Sequence, residues 1–266
     1  MSTASDAFRR LHAPGELLVL PNAWDAASAR LIEDCGAPAI ATTSAGVAWA
    51  LGHPDGNALP PDVLAPAVAA IARVIRVPLS VDVEAGYSDD PLRVATLVAA
   101  VREAGGAGVN LEDGPGTPDL LCAKIAAVKR AVGDDVFVNA RTDVYLRSLV
   151  PPAEAVAATI ERGRRYLAAG ADGLFVPYVK TPADMRAIAD AIAPAPLNVM
   201  AVPALADAAA LRNAGVRRLS AGSALASAAL GAVRRLATAF LADGLSDPLF
   251  VEPVAYGAMN ALLSRG

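Results

Sequence analysis

The stretch Leu79-Ser-Val-Asp-Val-Glu-Ala-Gly-Tyr87 is a short β-prone run that ends in two acids and a glycine. Residues i and i+2 of a strand point to the same side, so Asp82 and Glu84 are predicted to converge where the strand ends. Gly86 allows the backbone to turn sharply there. The run therefore predicts a buried strand that delivers two carboxylates to one edge of a sheet.

The same arrangement recurs further along the chain. Gly108-Val-Asn-Leu-Glu-Asp113 ends in acids, and Val136-Phe-Val-Asn-Ala-Arg-Thr-Asp143 ends in an arginine and an acid. Eight such short apolar runs alternate with longer, alanine-rich helical stretches. Apolar strands without alternation are typical of parallel sheets that are buried on both faces. The pattern therefore predicts a sequence of βα units.

Eight βα units in 266 residues predict an α/β fold of the TIM (β/α)8 barrel type with an extra C-terminal helical segment. We expect a single domain over residues 1–266, with 1–16 as an N-terminal extension and 246–266 as a helical tail. A doubly wound open sheet is the competing fold. It usually has a glycine-rich turn after its first strand, and Leu20-Pro-Asn-Ala-Trp24 has none.

The composition argues against several classes of protein. The formal net charge is −4 and no long basic cluster occurs, so we expect no binding to nucleic acid or to an anionic membrane. No apolar run is expected to reach the roughly 18 residues that span a bilayer. The two cysteines cannot form a disulfide framework, and the polar N-terminus does not resemble a signal peptide. A soluble cytoplasmic protein is expected.

The acids at the predicted strand ends indicate a metal site, because active sites of TIM barrels lie at the C-terminal ends of the strands. Asp82, Glu84 and Glu112 would repel one another unless a cation lay among them. Oxygen ligands favour Mg²⁺, and the near absence of histidine and cysteine argues against zinc. Arg141 would add an anion-binding guanidinium. A lone acid would more often cap a helix, but three acids and an arginine indicate an enzyme.

Weaker candidates stand at the other strand ends. The small residues Ser44, Ala45 and Gly46 could offer backbone N–H groups to an anion, although such tripeptides also fill ordinary loops. Asp25 could bind substrate or cap a helix. Tyr87 could donate a hydrogen bond to substrate or pack beneath a lid.

Five motifs together resemble the isocitrate lyase/phosphoenolpyruvate mutase superfamily over residues 18–225. They are Pro21-Asn-Ala-Trp-Asp25, Thr42-Thr-Ser-Ala-Gly46, Val81-Asp-Val-Glu-Ala-Gly-Tyr87, Asn110-Leu-Glu-Asp113 and Asn139-Ala-Arg-Thr-Asp143. The resemblance implies a TIM barrel that assembles as a homodimer or homotetramer through an exchanged C-terminal helix. It also implies chemistry next to a pyruvate enolate that a metal ion stabilises.

The resemblance further implies roles for individual residues. Mg²⁺ would be held near Asp82, Glu84 and Glu112, mostly through water, and Arg141 would bind a substrate carboxylate. Three residues are candidate catalytic groups: Arg141, Glu112 and Tyr87. Six are candidate substrate-binding groups: Ser44, Ala45, Gly46, Arg141, Asn198 and Asp25. For Arg141, pairing with Glu112 or Asp143 is the structural alternative to a substrate contact.

The chain departs from the family pattern in the loop after the fourth strand. Lyases of this family carry a Lys-Lys-Cys-Gly-His-type segment there, in which the cysteine acts as acid and base. This chain has Asp113-Gly-Pro-Gly-Thr-Pro-Asp-Leu-Leu121, which we expect to be a mobile lid. The lysine and asparagine of the mutase and hydrolase pattern are missing too. Cys122, just beyond the loop, is expected to be a buried structural thiol.

The leading hypothesis is a Mg²⁺-dependent lyase that cleaves a carbon–carbon bond of a small 2-hydroxy- or 2-oxo-dicarboxylate, as a 2-methylisocitrate lyase does. Two alternatives within the same architecture are an oxaloacetate-type decarboxylase and a phosphonopyruvate-type mutase or hydrolase that acts on a P–C bond. A metabolite-binding barrel without catalysis is the alternative from another class. In each case the expected partner is a small-molecule carboxylate.

Overall fold

The computed structural model describes residues 4–264, and its centre is a parallel sheet closed into a barrel. The strands of this sheet are β1 (Leu18–Leu20), β2 (Asn22–Ala23), β3 (Ile40–Thr42), β4 (Leu79–Asp82), β5 (Gly106–Glu112), β6 (Phe137–Arg141), β7 (Gly173–Val176), β8 (Leu197–Met200) and β9 (Val216–Ser220). They are hydrogen-bonded in the order β1-β9-β8-β7-β6-β5-β4-β3-β2. The predicted TIM barrel is confirmed.

The first strand of the barrel is divided at Pro21 into β1 and β2. β1 pairs with β9, whereas β2 pairs with β3 on the other side of the break. Proline has no N–H to donate to a ladder, although the carbonyl of Pro21 accepts a hydrogen bond from Ala41 N at 3.3 Å. The two short segments together therefore act as one barrel strand and close the ring.

Helices surround the barrel and follow its strands. They are α1 (Ala4–Arg10), α2 (Ala26–Asp34), α3 (Ser44–Ala50), α4 (Pro61–Ala72), α5 (Pro91–Glu103), α6 (Pro118–Val132), α7 (Ala155–Ala168), α8 (Pro182–Ile192), α9 (Ala208–Asn213), α10 (Ala224–Asp243) and α11 (Tyr256–Leu263). Sequence reasoning did not predict α1 or α3. Both are only seven residues long, too short for a clear helical periodicity of apolar residues.

The lower, N-terminal part of the barrel interior is apolar. Its buried cluster joins α1 to the strands and consists of Phe8, Leu18, Leu20, Ala39, Ala41, Ala107 and Phe137. A larger cluster fills the space between the strands and the outer helices. Helix α1 thus plugs the end of the barrel opposite the predicted site.

The middle of the barrel is polar, which is unusual for a TIM barrel interior. Asn139 donates to the side-chain oxygens of Asn110 at 2.9 Å and Asn198 at 3.0 Å. The fully buried Arg218 lies 3.3 Å from the side-chain oxygens of Asn110 and Ser80. Burial lowers the pKa of Arg218 to about 9, and the charge of Asp82 opposes this shift. These side chains tie five strands together beneath the site.

Helix α10 follows β9, the last strand of the barrel, and packs little against the rest of the described chain. Its 20 residues are mostly exposed, and Leu241 is 84% exposed. With a mean hydropathy of 1.3, α10 is long and apolar enough to cross a membrane by length and composition alone. Arg234 and Arg235 divide the helix, so its uninterrupted apolar run is shorter than the roughly 18 residues expected for a span, although the helix as a whole reaches this hydropathy. One such helix is weak grounds for a membrane span.

His12, which had no role in the sequence interpretation, is buried against the barrel plug. Its ring stacks on Phe137 with centroids 4.6 Å apart, and Nδ1 lies 2.9 Å from the carbonyl oxygen of Phe8. Burial first, and then the charge of Arg218, lower the pKa of His12 to about 3. The folded protein therefore holds this imidazole neutral.

His12 should make the protein less stable in acid. Below pH 6.5 the unfolded chain protonates His12 and the folded protein does not, so stability rises with pH from about 3 to 6.5 and is lost on acidification. His12→Phe keeps the ring contacts, and Leu11 N still donates to the carbonyl of Phe8. Between pH 7 and pH 5 the wild type should lose about 2 kcal/mol more free energy of unfolding than the variant, measured by urea denaturation. Equal losses would contradict the buried neutral histidine.

Candidate active site

A cavity of about 260 Å³ opens at the C-terminal ends of the barrel strands. Its wall contains both polar and apolar side chains. The polar and charged residues are Asn22, Thr43, Ser44, Asp55, Asp82, Asn110, Arg141, Tyr178, Ser220 and Ser223, and the others are Ala45, Leu146, Phe175, Met200 and Gly222. The position agrees with the general rule for TIM barrels.

Asp82 is the last residue of β4 and lies in the cavity wall. Its carboxylate accepts hydrogen bonds from the backbone N–H groups of Ser44 and Glu84, the latter at 3.3 Å. Its own N–H donates to Thr42 Oγ1 at 2.9 Å. Burial raises the pKa of Asp82, and the charge of Arg141 opposes this rise. The N–H of Ser44, expected to bind substrate, is therefore already used by Asp82.

Glu84 and Tyr87 lie behind the cavity wall, on the tight turn after β4. Both have left-handed backbones, with φ of 50° and 54°. The Glu84 carboxylate accepts a hydrogen bond from Asn57 N, and its other oxygen is buried without a partner among the described residues. Tyr87 shares a side-chain hydrogen bond with Glu84, and its own pKa is raised by burial and then by the Glu84 charge. Tyr87 thus contacts an acid of the site and not the cavity.

Arg141 joins the acids at the ends of β5 and β6. Its NH1 lies 2.7 Å from Glu112 Oε2, and its Nε lies 2.7 Å from Asp143 Oδ1. Burial raises the pKa of Glu112 to about 8, against the opposing charge of Arg141 and with a further increase from Asp82. Burial would lower the pKa of Arg141, but Glu112 and Asp143 raise it above its usual value. The structural alternative for Arg141 is therefore observed, while the same side chain also lines the cavity.

Asp113 is a fixed anchor and does not belong to a mobile lid. Its carboxylate accepts hydrogen bonds from Thr142 Oγ1, Asp143 N, Arg162 NH1 and the Tyr166 hydroxyl, all between 2.6 and 2.8 Å. The far end of the predicted lid is the first turn of α6. Only residues 114–116 and the capping Thr117 lie between these two fixed points. The lid prediction is therefore too long at both ends.

Three predicted substrate-binding residues lie outside the cavity wall. The Asp25 carboxylate caps α2 by accepting a hydrogen bond from Ser28 N at 2.7 Å. Asn198 is buried in the polar layer of the barrel, where it donates to the carbonyls of Val199 and Arg218. Gly46 is buried in α3 behind the wall. Ser44, Ala45 and Arg141 are the predicted substrate-binding residues that reach the cavity.

Sequence reasoning missed Asp55 and Tyr178. The charge of Asp55 contributes to the raised pKa values of Asp82 and Glu84, and both missed residues line the cavity. Asp55 lies in the loop after α3, whose path over the barrel mouth depends on packing. Tyr178 stands two residues after the buried run Gly173–Val176, and this position near a strand end was a usable signal.

The acids fit a hydrated cation better than a closed metal cage. Among residues 4–264, no group of three or more histidine, cysteine, aspartate or glutamate side chains is arranged to hold a metal ion. However, Asp82 faces the cavity, Glu84 has an unpartnered buried oxygen, and the charge of Asp82 raises the pKa of Glu112. Mg²⁺ keeps several waters and uses few protein carboxylates. One direct contact from Asp82, with Glu84 and Glu112 reached through water, is compatible with this arrangement.

Comparison with known proteins gives consistent matches over most of the chain. A family model described as phosphoenolpyruvate phosphomutase matches residues 8–241. An uncharacterized protein of Mycobacterium tuberculosis is 40% identical over 262 residues, covering 97% of this chain and 96% of the relative. A solved structure from Burkholderia cenocepacia J2315 is 40% identical with a TM-score of 0.83, covering 88% of this chain and 99% of the other.

Two relatives with named activities match at lower identity. The 2-methylisocitrate lyase of Escherichia coli is 30% identical over 208 residues, which is 68% of each chain. The oxaloacetate decarboxylase of Paraburkholderia xenovorans is 32% identical over 233 residues, covering 82% of this chain and 76% of the relative.

Gly46 should be required for the placement of α3 beside Asp82. A Cβ at this position would lie 2.7 Å from Trp24 Cβ and 2.8 Å from Thr43 Cγ2, so Gly46→Ala should lower the free energy of unfolding by about 1–3 kcal/mol. Gly231→Ala in α10 is the matched control. Its Cβ would meet nothing within 4 Å, and the change should stabilise the helix by up to about 1 kcal/mol. Chemical denaturation of both variants measures the difference, and a neutral Gly46→Ala would contradict the close packing.

Proposed function

Since the chain belongs to the isocitrate lyase/phosphoenolpyruvate mutase superfamily, we propose that it is a Mg²⁺-dependent lyase. The proposed reaction cleaves a carbon–carbon bond of a small 2-hydroxy- or 2-oxo-dicarboxylate and leaves a pyruvate-type enolate. The observation that carries this proposal is that Asp82 and Arg141 face one cavity from the ends of β4 and β6. A carboxylate that can bind a cation and a guanidinium that can bind a substrate carboxylate therefore line the same cavity.

The proposed cation site consists of Asp82 as the direct ligand, with Glu84 and Glu112 acting through water. When bound, Mg²⁺ would supply electrostatic stabilisation of the negative charge that develops on the enolate oxygen. Asp82 is held for this task by the N–H groups of Ser44 and Glu84. We propose that Tyr87 supports Glu84 through their shared hydrogen bond.

Arg141 is the proposed carboxylate ligand. A guanidinium has five N–H donors; Nε and NH2 each donate one hydrogen bond to Asp143, and NH1 forms the ion pair with Glu112. One N–H on NH1 and one on NH2 remain for a substrate carboxylate. Glu112 and Asp143 hold the planar group in a fixed orientation, which favours bidentate binding.

Decarboxylation of an oxaloacetate-like acid is a second candidate, favoured by the apolar residues of the cavity wall. Leu146 and Met200 belong to this wall, and Arg141, whose Cζ lies 5.7 Å from the centre of the Phe175 ring, is the only Lys or Arg among the described residues that line the cavity. A second carboxylate placed beyond the reach of Arg141 would lack a counterion and would leave readily as CO2. The bond's electron pair would remain as the enolate, which takes a proton from water. No general base is needed, which suits the replacement of the lyase loop by Asp113–Leu121.

We also propose that the chain acts as a homodimer or homotetramer in the cytoplasm. The apolar side chains of Leu230, Val233 and Phe240 are exposed along α10, and a second copy would cover them. Cys35 and Cys122 are free thiols, as expected in a reducing compartment.

Cys122 is only partly buried, so the expectation of a buried thiol was wrong. It does not line the cavity, and burial raises its pKa.

Turnover of a 2-oxo acid should depend on Asp82. Purified protein with Mg²⁺ is incubated with oxaloacetate, 2-methylisocitrate and phosphonopyruvate, and pyruvate release is coupled to NADH oxidation. Asp82→Asn keeps the shape but removes the charge, and should lower kcat by about 100-fold or more. Asp25→Ala is the control. It removes a helix cap that lies outside the cavity, so it should cost about 1 kcal/mol of stability and leave turnover intact. Absence of turnover on every acid would support the non-catalytic binder instead.

Arg141→Lys should separate substrate binding from structural ion pairing. Lysine keeps the charge near Glu112 but cannot form the planar fork, so kcat/KM should fall by the equivalent of about 2–4 kcal/mol. The fold and Mg²⁺ binding should be retained. Steady-state kinetics and thermal unfolding are measured on the same preparation. Near-normal turnover per folded molecule, together with a lower Tm, would assign Arg141 to ion pairing alone.

A further inference from the structure

The turn after β4 is held in an unfavourable backbone conformation. Glu84 and Tyr87 both have φ near 50°, a left-handed region in which residues with a Cβ are uncommon. Gly86 between them has φ of 84°, and a Cβ there would lie 2.7 Å from the Val94 side chain of α5. Such conformations persist only when the surrounding structure imposes them. The contacts that impose this turn therefore decide where the Glu84 carboxylate lies.

The peptide groups of Ala85 are bound by side chains from two other parts of the chain. Ala85 N donates to Asn57 Oδ1 at 3.2 Å, and the Ala85 carbonyl accepts from Lys124 Nζ at 2.8 Å. Asn57 belongs to the same loop as Asp55, and Lys124 belongs to α6, which follows residues 114–117. Both peptide groups of Ala85, the residue after Glu84, are therefore hydrogen-bonded to side chains from outside the turn.

Asn57 makes a second contact to the same turn. Its backbone N–H donates to the Glu84 carboxylate, while its side chain binds Ala85 N. The backbone of Asn57 is itself left-handed, with φ of 61°. Asparagine tolerates this region better than most residues with a side chain, because its amide can form local hydrogen bonds. Asn57 therefore fixes both the peptide and the carboxylate of this turn.

Lys124 of α6 is a buried lysine. Its side chain is 3% exposed, and lysine is almost never this buried unless it is paired. The carboxylate 3.7 Å from Nζ belongs to Asp89, which is itself 92% exposed, so the hydrogen bond to Ala85 is the close contact. Burial lowers the pKa of Lys124, with opposing charges from Asp89 and Glu112. A costly buried ammonium thus donates to the Ala85 carbonyl, with the exposed Asp89 carboxylate as its counterion.

We propose that Lys124 is a positioning residue that, together with Asn57, holds the Ala85 peptide and thereby directs the Glu84 carboxylate towards the acid cluster. Lys124 lies outside the lining of the substrate cavity. Lys124 affects the site only through the turn that carries Glu84. Asn57 contacts the same turn from the loop before α4, and Lys124 contacts it from α6. The inference rests on the proposed Mg²⁺ site, because the orientation of Glu84 matters for function only if Glu84 takes part in binding the cation.

The test uses Lys124→Met, which keeps the length of the side chain and removes the ammonium. Lys129→Met is the matched control on the same helix. Lys129 is ion-paired to Asp134 at 3.0 Å and to Asp172 at 3.4 Å, contacts that involve no residue of the turn. Mg²⁺ binding is measured by titration calorimetry together with Tm. Lys124→Met should weaken Mg²⁺ binding by about 10–100-fold, as loss of a supporting contact around a metal does, whereas Lys129→Met should bind normally.

Two further variants distinguish positioning from stability. Lys124→Arg retains a donor and should restore part of the affinity. Asn57→Gly suits the left-handed backbone and keeps the N–H that binds Glu84, but removes the acceptor for Ala85 N. It should weaken Mg²⁺ binding in the same direction even if Lys124→Met does not fold. Unchanged Mg²⁺ affinity in folded Lys124→Met and Asn57→Gly would overturn the proposal, whatever happens to Tm.

Hydrogen exchange separates this inference from the proposed function. If the wild type binds no Mg²⁺, the proposed function fails, yet the amides of residues 84–88 can still be followed in the variants. Loss of a side-chain hydrogen bond to Ala85 should speed the exchange of these amides by about tenfold or more in Lys124→Met and in Asn57→Gly, and not in Lys129→Met. Unchanged exchange in both variants would show that neither residue holds the turn.

Discussion

The ion pairs of Arg141 with Glu112 and Asp143 are the interactions on which the mouth of this barrel depends. Parallel strands end at the same rim, so each acid at a strand end adds negative charge to one small space. Burial raises the pKa values of Asp82, Glu84 and Glu112, and Asp82 adds to the rise in the other two. Arg141 opposes this rise for Asp82 and Glu112. Removing its charge would leave acids that are more readily protonated and less able to bind a cation.

Two layers of side chains lie below the rim and support the site, one apolar and one polar. An apolar plug that includes Phe8 closes the lower end, and hydrogen-bonded asparagines and Arg218 fill the middle. Arg218 has two side-chain nitrogens, Nε and NH1, that are buried without a partner among the described residues. A buried cation of this kind is costly unless other charges compensate it. The charge of Asp82 favours the cationic form of Arg218 and links the middle layer to the rim.

The departures from the family pattern are concentrated in the parts that would complete a reaction. The rim retains its acids and arginine, whereas the loop after β5 is short and is held at Asp113 by four hydrogen bonds. The cavity wall also contains Phe175 and Met200, and Arg141 is the only Lys or Arg among the described residues that line it. A reaction that needs an anchored carboxylate and an enolate, but no base from that loop, agrees with both features.

The sequence by itself determined the barrel and which polar residues stand at the ends of its central strands. Buried strands and their end residues are adjacent in the chain, so the ends of β4, β5 and β6 could be assigned from local pattern to Asp82, Glu112 and Arg141. Tertiary structure decided which side chains reach the cavity. Asp25 turns back to cap its own helix, Lys124 is buried, and Asp55 and Asn57 are brought over the rim. Loops follow no fixed period, so packing between distant segments sets their course, and the burial of a helix residue such as Lys124 depends on the segments that pack over it.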